Sequence, residues 1–266
     1  MYNQKPTMTV RYEINPPKIS DDGQDARNVL FERIKMISSV CNGIHLTDSV
    51  LGIQRVSPFE IAEKMRASNK DIKITCSLRV RGKNLNEIEK IVQESVGIVD
   101  GILVLMGDKS DETLDKDLLI PSQVVRTLNE NGLGKKIELF LSIPSNPNFA
   151  KIQKKIDAKT AWFFTQVIYS KDQIEKITNQ LGSNGFKIIP CILLPSHKNL
   201  KSAEFLKIDW SDYKENIVGF INEIHGITSD ILITSPNDFK RAYETISKLA
   251  IWSRHPHLEF THAQRN

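Results

Sequence analysis

Eight short apolar runs punctuate this chain, and amphipathic stretches fill the intervals between them. The runs are 8–14, 43–47, 72–77, 101–105, 137–142, 161–166, 187–193 and 230–234. Each has the length of a buried strand, and several are apolar almost throughout, as parallel strands covered on both faces must be. In the intervals, Leu85, Ile88, Ile91, Val92 and Val96 recur at three- and four-residue spacing. Trp210, Tyr213, Ile217, Phe220, Ile221 and Ile224 do the same, as do Phe239, Ala242, Tyr243, Ile246, Leu249 and Ala250. Such spacing lays one apolar stripe along a helix. Strict strand–helix alternation demands parallel strands joined by helical crossovers. Eight such units in 266 residues is the arithmetic of a (β/α)8 TIM barrel. A doubly wound open sheet is the alternative, but it usually holds fewer units. No linker or low-complexity segment divides the chain, so residues 1–266 read as one barrel domain.

Local signals agree with this alternation. Asn84 with Glu87 three residues later predicts a capping box, and Ser211 with Lys214 an imperfect one. Gly182 and Gly185 predict the close of a helix around 174–181, and Asp21 and Asp22 predict a cap on the first helix. Composition narrows the function classes. The 36 basic and 32 acidic residues interleave, for a net charge of +4, so nucleic-acid binding is not indicated. Cys41, Cys76 and Cys191 lie far apart and form no CxxC pair, which fits buried thiols in a reducing compartment. No window approaches 18 apolar residues, and the first residues carry no signal-peptide pattern. The expectation is a soluble cytoplasmic protein that engages no membrane.

Barrel chemistry sits at the C-terminal ends of the strands. That rule selects Glu13, Thr47, Thr75, Asp108, Ser142, Gln166, Pro195 and Thr234. Glu13 stands among Tyr12, Ile14, Pro16 and Pro17, a dry setting that would hold its carboxyl protonated and make it a general acid. An exposed Glu before a proline turn is the plainer reading. Gly107 before Asp108 allows a sharp turn and the close approach of a flat ligand, or simply a strand-to-helix turn. Gln166 offers a paired donor and acceptor for a heterocycle edge, or a turn cap. No GxGxxG, GxxxxGK[ST] or HExxH occurs. The His255–Pro256–His257 pair resembles a metal pair but reads better as a terminal tail, so no metal site is expected. The segment 195–209, with Phe205, reads as a long loop: a lid over substrate, or a surface excursion.

Together these residues resemble the methylenetetrahydrofolate reductase family. YEINPPK at 12–18 is similar to the family's first strand and turn, F-E-F/I-x-P-P-K. HLTDSV around Thr47 resembles its second-strand segment, ITCSL around Thr75 its H-L-T-C strand, and LMGD at 105–108 its L-R-G-D turn. KKIDAKTAWFFTQ carries Lys155 and Gln166 at the spacing of the family's K-x-D-A-G-A-x-x-x-I-T-Q, and IIPCILLPS resembles P-G-I-x-P-I/V. The resemblance runs from about Thr9 to Leu194.

It implies a barrel that reduces 5,10-methylenetetrahydrofolate to 5-methyltetrahydrofolate through FAD with electrons from NADH or NADPH. It makes Glu13 the general acid and puts Asp108 beside the flavin and the cationic intermediate. Gln166 would contact the pterin, while Thr47, Gly107, Asp108 and Lys155 would line the flavin site; Phe205, beyond the span of the resemblance, is a substrate-contact candidate on the lid reading of 195–209. Lys73 and Asn146 take the places of two family histidines and count with the cofactor-binding candidates; Met106 takes that of the Arg in R-G-D, Ile143 that of an aromatic and Lys159 that of a glycine. These departures predict a weaker hold on FAD. A modified pterin, flavin-free hydride transfer, an electron-supplying partner subunit and a non-catalytic folate-binding or partner-stabilising barrel stay open. A homo-oligomer is implied by the resemblance alone.

Overall fold

The computed structural model of the protein describes residues 8–108 and 118–254. Eight strands close into a parallel barrel in sequence order, β1 pairing with both β2 and β8. The strands are β1 Thr9–Ile14, β2 Gly43–Leu46, β3 Lys73–Arg79, β4 Gly101–Leu105, β5 Glu138–Ile143, β6 Trp162–Val167, β7 Lys187–Leu193 and β8 Asp230–Thr234. Seven crossovers carry helices: α1 Gln24–Ser38, α2 Pro58–Ser68, α3 Leu85–Glu94, α4 Pro121–Glu130, α5 Gln153–Asp157 and α6 Lys171–Leu181, then both α7 Leu200–Leu206 and α8 Ile217–Thr228 between β7 and β8. The last helix, α9, spans Phe239–Arg254.

Period-two alternation divides each strand's side chains between two cores. Outward residues such as Val10, Tyr12, Ile44, Ile74, Cys76, Leu78, Ile102 and Val104 pack against the helices in one large buried cluster. Inward residues from β4 to β8 form a second, smaller cluster of Leu103, Phe140, Phe164, Ile189, Cys191 and Leu232. The β1–β3 side of the interior is polar instead. Arg11 reaches Asp230 at 3.3 Å, and both ring nitrogens of His45 are engaged, by Thr75 at 2.9 Å and Ser77 at 3.0 Å. The two halves meet where His45 leans on the Phe164 ring, centroids 5.2 Å apart.

The Asn84–Glu87 capping box forms with both of its hydrogen bonds. Gly182 caps α6, and Gly185 takes a positive φ of 79°. Three local expectations are corrected. Asp22 does not cap α1, whose N-cap is Gly23; its carboxylate grips the Arg27 guanidinium at 2.6 and 2.7 Å. The stripe from Trp210 does not start a helix there, because Asn216 caps α8 by accepting from the Gly219 amide and Trp210–Tyr213 form a turn before it. Segment 195–209 is no open loop: a short 3₁₀ turn, His197–Asn199, leads straight into α7.

Candidate active site

The mouth at the C-terminal ends of the strands gathers most of the candidate residues. Glu13 ends β1 on its inward face, beside Thr234 at the end of β8. The Thr234 hydroxyl donates to Glu13 Oε1 at 2.7 Å. Burial pushes the Glu13 carboxyl above the usual carboxylate range, and the Thr234 hydrogen bond opposes this only in part. Cys191, buried on the inner face of β7, has its thiol pushed well up by burial and then by the charge of Glu13. The outcome is a carboxyl held above its ordinary range at the C-terminal end of β1.

Thr47 follows β2 and donates to Asn15 Oδ1 at 2.6 Å, tying the β1 and β2 turns together. Its own amide donates to Ile14 O at 3.1 Å. Gly107 sits in the turn after β4 with φ +81°, where a Cβ would overlap the Arg79 side chain. Asp108 follows it, exposed on the rim. Lys155, on α5, reaches back to the end of β5 and donates to Ser142 O at 2.5 Å. Burial there pulls its ammonium below the ordinary lysine range, so a cation is held half-dry at the rim. Asn146 lies in the turn after β5, exposed. Gln166 lies in an irregularity of β6, where the register with β7 shifts between Phe164 and Val167. The shift leaves Gln166 exposed, while Thr165 accepts from the Cys191 amide at 3.1 Å. Such bulges re-aim side chains at barrel rims.

Phe205 is 68% exposed on α7, with Leu200 and Leu206 exposed on the same short helix. The helix is anchored by Asn199, whose side chain is fully buried. Its amide donates to Leu194 O and to Ser235 Oγ, both at 2.9 Å, and its oxygen accepts from the Asn237 amide at 3.2 Å. One asparagine thus fixes the turns after β7 and β8 relative to each other.

Lys73 is not at this mouth. It is the first residue of β3, paired with Gly43 at the start of β2, and it is exposed at the opposite end of the barrel. β3 runs on to Arg79, so Thr75 lies mid-strand, inside the barrel on His45, and not at the rim. The residue that β3 brings to the mouth is Arg79, which the motif comparison missed. The alternation of buried Ile74, Cys76, Leu78 and Val80 with inward Thr75, Ser77 and Arg79 carries that signal. Ile143 likewise lies off the site, 1% exposed in the outer cluster. His255 and His257 lie outside the described residues. Among the described residues, no group of three or more His, Cys, Asp or Glu could hold a metal ion. No helix among them is long and apolar enough to cross a membrane.

A cavity of about 730 Å³ lies on the outer wall, lined among others by Asp22, Arg27, Glu60 and Phe59. Three of its charges meet one another, since Arg27 bridges Asp22 and Glu60, each at 2.6 Å. The mouth, with its raised carboxyl and half-dry cation, is the better chemical site.

Comparison with known proteins adds two kinds of finding. No protein of curated function matches the chain. Among solved structures, an uncharacterized protein from Clostridium thermocellum that binds two copies of 5-methyl-5,6,7,8-tetrahydrofolic acid has a TM-score of 0.69 at 16% identity. The match covers 92% of this chain and 96% of that one. A GH18 chitinase from Flavobacterium johnsoniae has a TM-score of 0.56 at 12% identity, covering 92% and 96%. A 2,3-dimethylmalate lyase has 0.54 at 12%, covering 96% and 86%. At such identities these likenesses speak for the barrel and not for a reaction. The sequence speaks more directly. The family model for methylenetetrahydrofolate reductase matches residues 2–209, a span that holds every mouth residue described above except Thr234, Ser235 and Asn237, and on that match the chain belongs to the methylenetetrahydrofolate reductase family.

Proposed function

We propose that the protein is a folate-dependent oxidoreductase that reduces 5,10-methylenetetrahydrofolate to 5-methyltetrahydrofolate, taking electrons from NADH or NADPH through FAD. The observation that carries this reading is the Glu13–Thr234 pair: a carboxyl whose pKa burial raises, at a barrel mouth, with a hydroxyl orienting one oxygen. Family membership supports the substrate class, and so does the folate bound by the similar Clostridium thermocellum protein.

The residues present fit a dinucleotide on the β3–β5 side of the mouth. Arg79 Nε is buried there without a hydrogen-bond partner, Lys155 holds a half-dry ammonium, and Gly107 leaves its turn without a Cβ. Lys155, Thr47 and the Gly107 turn would hold the cofactor, with Asn146 at the rim. When bound, FAD supplies the hydride chemistry.

The chain's own residues do the rest. The substrate's five-membered ring bridges two nitrogens, and hydride addition requires one carbon–nitrogen bond to open. Glu13 delivers a proton to the departing nitrogen, for which its raised pKa suits it. Ring opening leaves an iminium cation, and the Asp108 carboxylate at the rim stabilises it more strongly once ligand has displaced water. Gln166 pairs with the pterin edge, and Phe205 lies against the substrate when it is seated. Mixing the purified protein with NADH or NADPH, FAD and 5,10-methylenetetrahydrofolate tests the reading by the appearance of 5-methyltetrahydrofolate. A protein that binds the folate but never turns it over, with either nicotinamide and added FAD, rules the reductase out.

A further inference from the structure

We propose that Arg79 is the anion-binding residue of the barrel mouth and holds a phosphate of the dinucleotide cofactor against the Gly107 turn. The inference rests on the reading that the mouth takes a dinucleotide, and it adds a residue and a contact to it.

Arg79 closes β3 with its side chain inward, only 8% exposed. Its Nε is buried and has no hydrogen-bond partner among the described residues. An unmet guanidinium donor in such a place is costly unless an anion meets it. The backbone is pinned from both sides: its amide donates to Asp48 Oδ2 at 3.0 Å, and its carbonyl accepts from Lys83 Nζ at 3.0 Å. Asp48 takes this amide on Oδ2 and the Ser49 hydroxyl on Oδ1 at 2.9 Å. The next residues tie β3 to the β4 turn, Val80 donating to Leu105 O and Arg81 to Met106 O.

The side chain then runs beneath Gly107. A Cβ at residue 107 would collide with the aliphatic stem of Arg79 and lie 2.9 Å from Nε, so the glycine is what admits the arginine. Met106 beside it is partly buried against the outer core and brings no charge to the turn. The cation of this turn thus comes from the neighbouring strand. With Lys155 over the end of β5, two cations line the β3–β5 side of the rim, facing the Glu13–Thr234 donor across the mouth. That spacing of charges fits a ligand bearing a diphosphate on one side and its reacting ring on the other. Arg is also the residue type that meets phosphate with a directed fork of donors.

The test is binding, read from the full-length protein by fluorescence titration. The ligands are FAD, NADH, riboflavin, inorganic diphosphate and a pterin with its glutamate tail. Arg79→Met should weaken FAD by about 10- to 100-fold, the range for one charged hydrogen-bonding group. Riboflavin, which lacks the phosphates, should change less than about twofold on the same grounds. Diphosphate should compete with FAD in the parent and not in the variant. Adding Met106→Arg to Arg79→Met should restore part of the affinity by returning a cation to the same turn.

Circular dichroism and Tm establish that each variant folds. If Arg79→Met does not fold, Arg79→Lys serves, with FAD expected to weaken more than riboflavin. Parent protein that binds NADH through Arg79 but not FAD keeps the phosphate contact and discards the flavin. Parent protein that binds neither dinucleotide nor diphosphate overturns the proposal. So does a folded variant whose FAD and NADH affinities are unchanged, a loss equal for riboflavin and FAD, or a loss confined to the pterin.

Discussion

Thr234 on β8 donates its hydroxyl hydrogen to Glu13 on β1 at 2.7 Å, across 221 residues of sequence. The two stand at the C-terminal ends of the first and last strands, so their contact exists only because β8 pairs with β1. The bond engages one carboxyl oxygen as an acceptor. Closure of the barrel and the setting of this carboxyl are one event in this protein, and loosening of the β1–β8 seam should be felt first at Glu13.

Glu13→Gln keeps the size and the Thr234 acceptor but cannot give up a proton. Folate reduction should fall to near nothing, folate binding should hold, and flavin reduction by the nicotinamide should continue. Stopped-flow measurement of the two half-reactions separates these. The linkage sign gives a second readout. A carboxyl raised in the folded state binds more protons there than in the unfolded chain, so stability falls as pH rises from the unfolded pKa through the folded one. Glu13→Gln should therefore raise Tm at pH 7–8 relative to the parent and flatten that dependence. A Gln variant that reduces methylenetetrahydrofolate at the parent's rate would remove Glu13 from the mechanism.

Asp108→Asn removes a charge and keeps the shape. The folate half-reaction should slow by about one to three orders of magnitude, as for loss of one electrostatic stabiliser. The flavin half-reaction should slow much less. Equal losses in both would mean that Asp108 shapes the rim and does not steady the iminium.

His45 gives a stability prediction at acid pH. Burial, and then the nearby charge of Arg11, pull its pKa down to about 3, and Thr75 and Ser77 occupy both ring nitrogens. A group whose pKa is depressed on folding binds more protons when unfolded, so stability is lost as pH falls below the unfolded value, ~6.5 for histidine. The loss should reach the order of a few kcal/mol near pH 4. His45→Gln can still meet both hydroxyls and does not titrate. Urea melts at pH 4.5 and 7.5 should show a clearly smaller difference for the variant; an equal difference would assign the acid sensitivity to other groups.

The fold was legible because each strand's outward face needed apolar residues against a helix, and five- to seven-residue runs record that need directly. Positions at the mouth are legible where a residue sits next to a strand end set by a proline or glycine, as Glu13 before Pro16 and Asp108 after Gly107 do. It was misread on β3. There the inward face is polar throughout, since it belongs to the hydrophilic half of the interior, and Thr75 looked like a strand end when it was a partner of His45. The misplaced end hid Arg79, which closes the strand, while Lys73, matched to a motif histidine, begins it at the opposite end of the barrel. The Asn199 tie was invisible for another reason: its partners are two carbonyl or hydroxyl oxygens and one amide from turns that only the closed barrel brings together. The helix that carries Phe205 escapes a periodicity reading because α7 is only 7 residues long.

Gly107→Ala tests the turn that joins these arguments. A methyl group at residue 107 meets two obstacles, a φ of +81° that L-residues adopt only under strain and the Arg79 stem already filling the space. Strain of this kind costs about 1–3 kcal/mol. Urea melts should show a loss of that size, with the m-value unchanged because the unfolded surface is the same. Binding should separate the two obstacles. If Arg79 must lie under residue 107 to meet its ligand, Gly107→Ala should weaken FAD about as much as Arg79→Met does and leave riboflavin near its parent affinity. If the variant loses stability but holds FAD as tightly as the parent, the turn is strained by its backbone alone and the Arg79 position under it carries no binding.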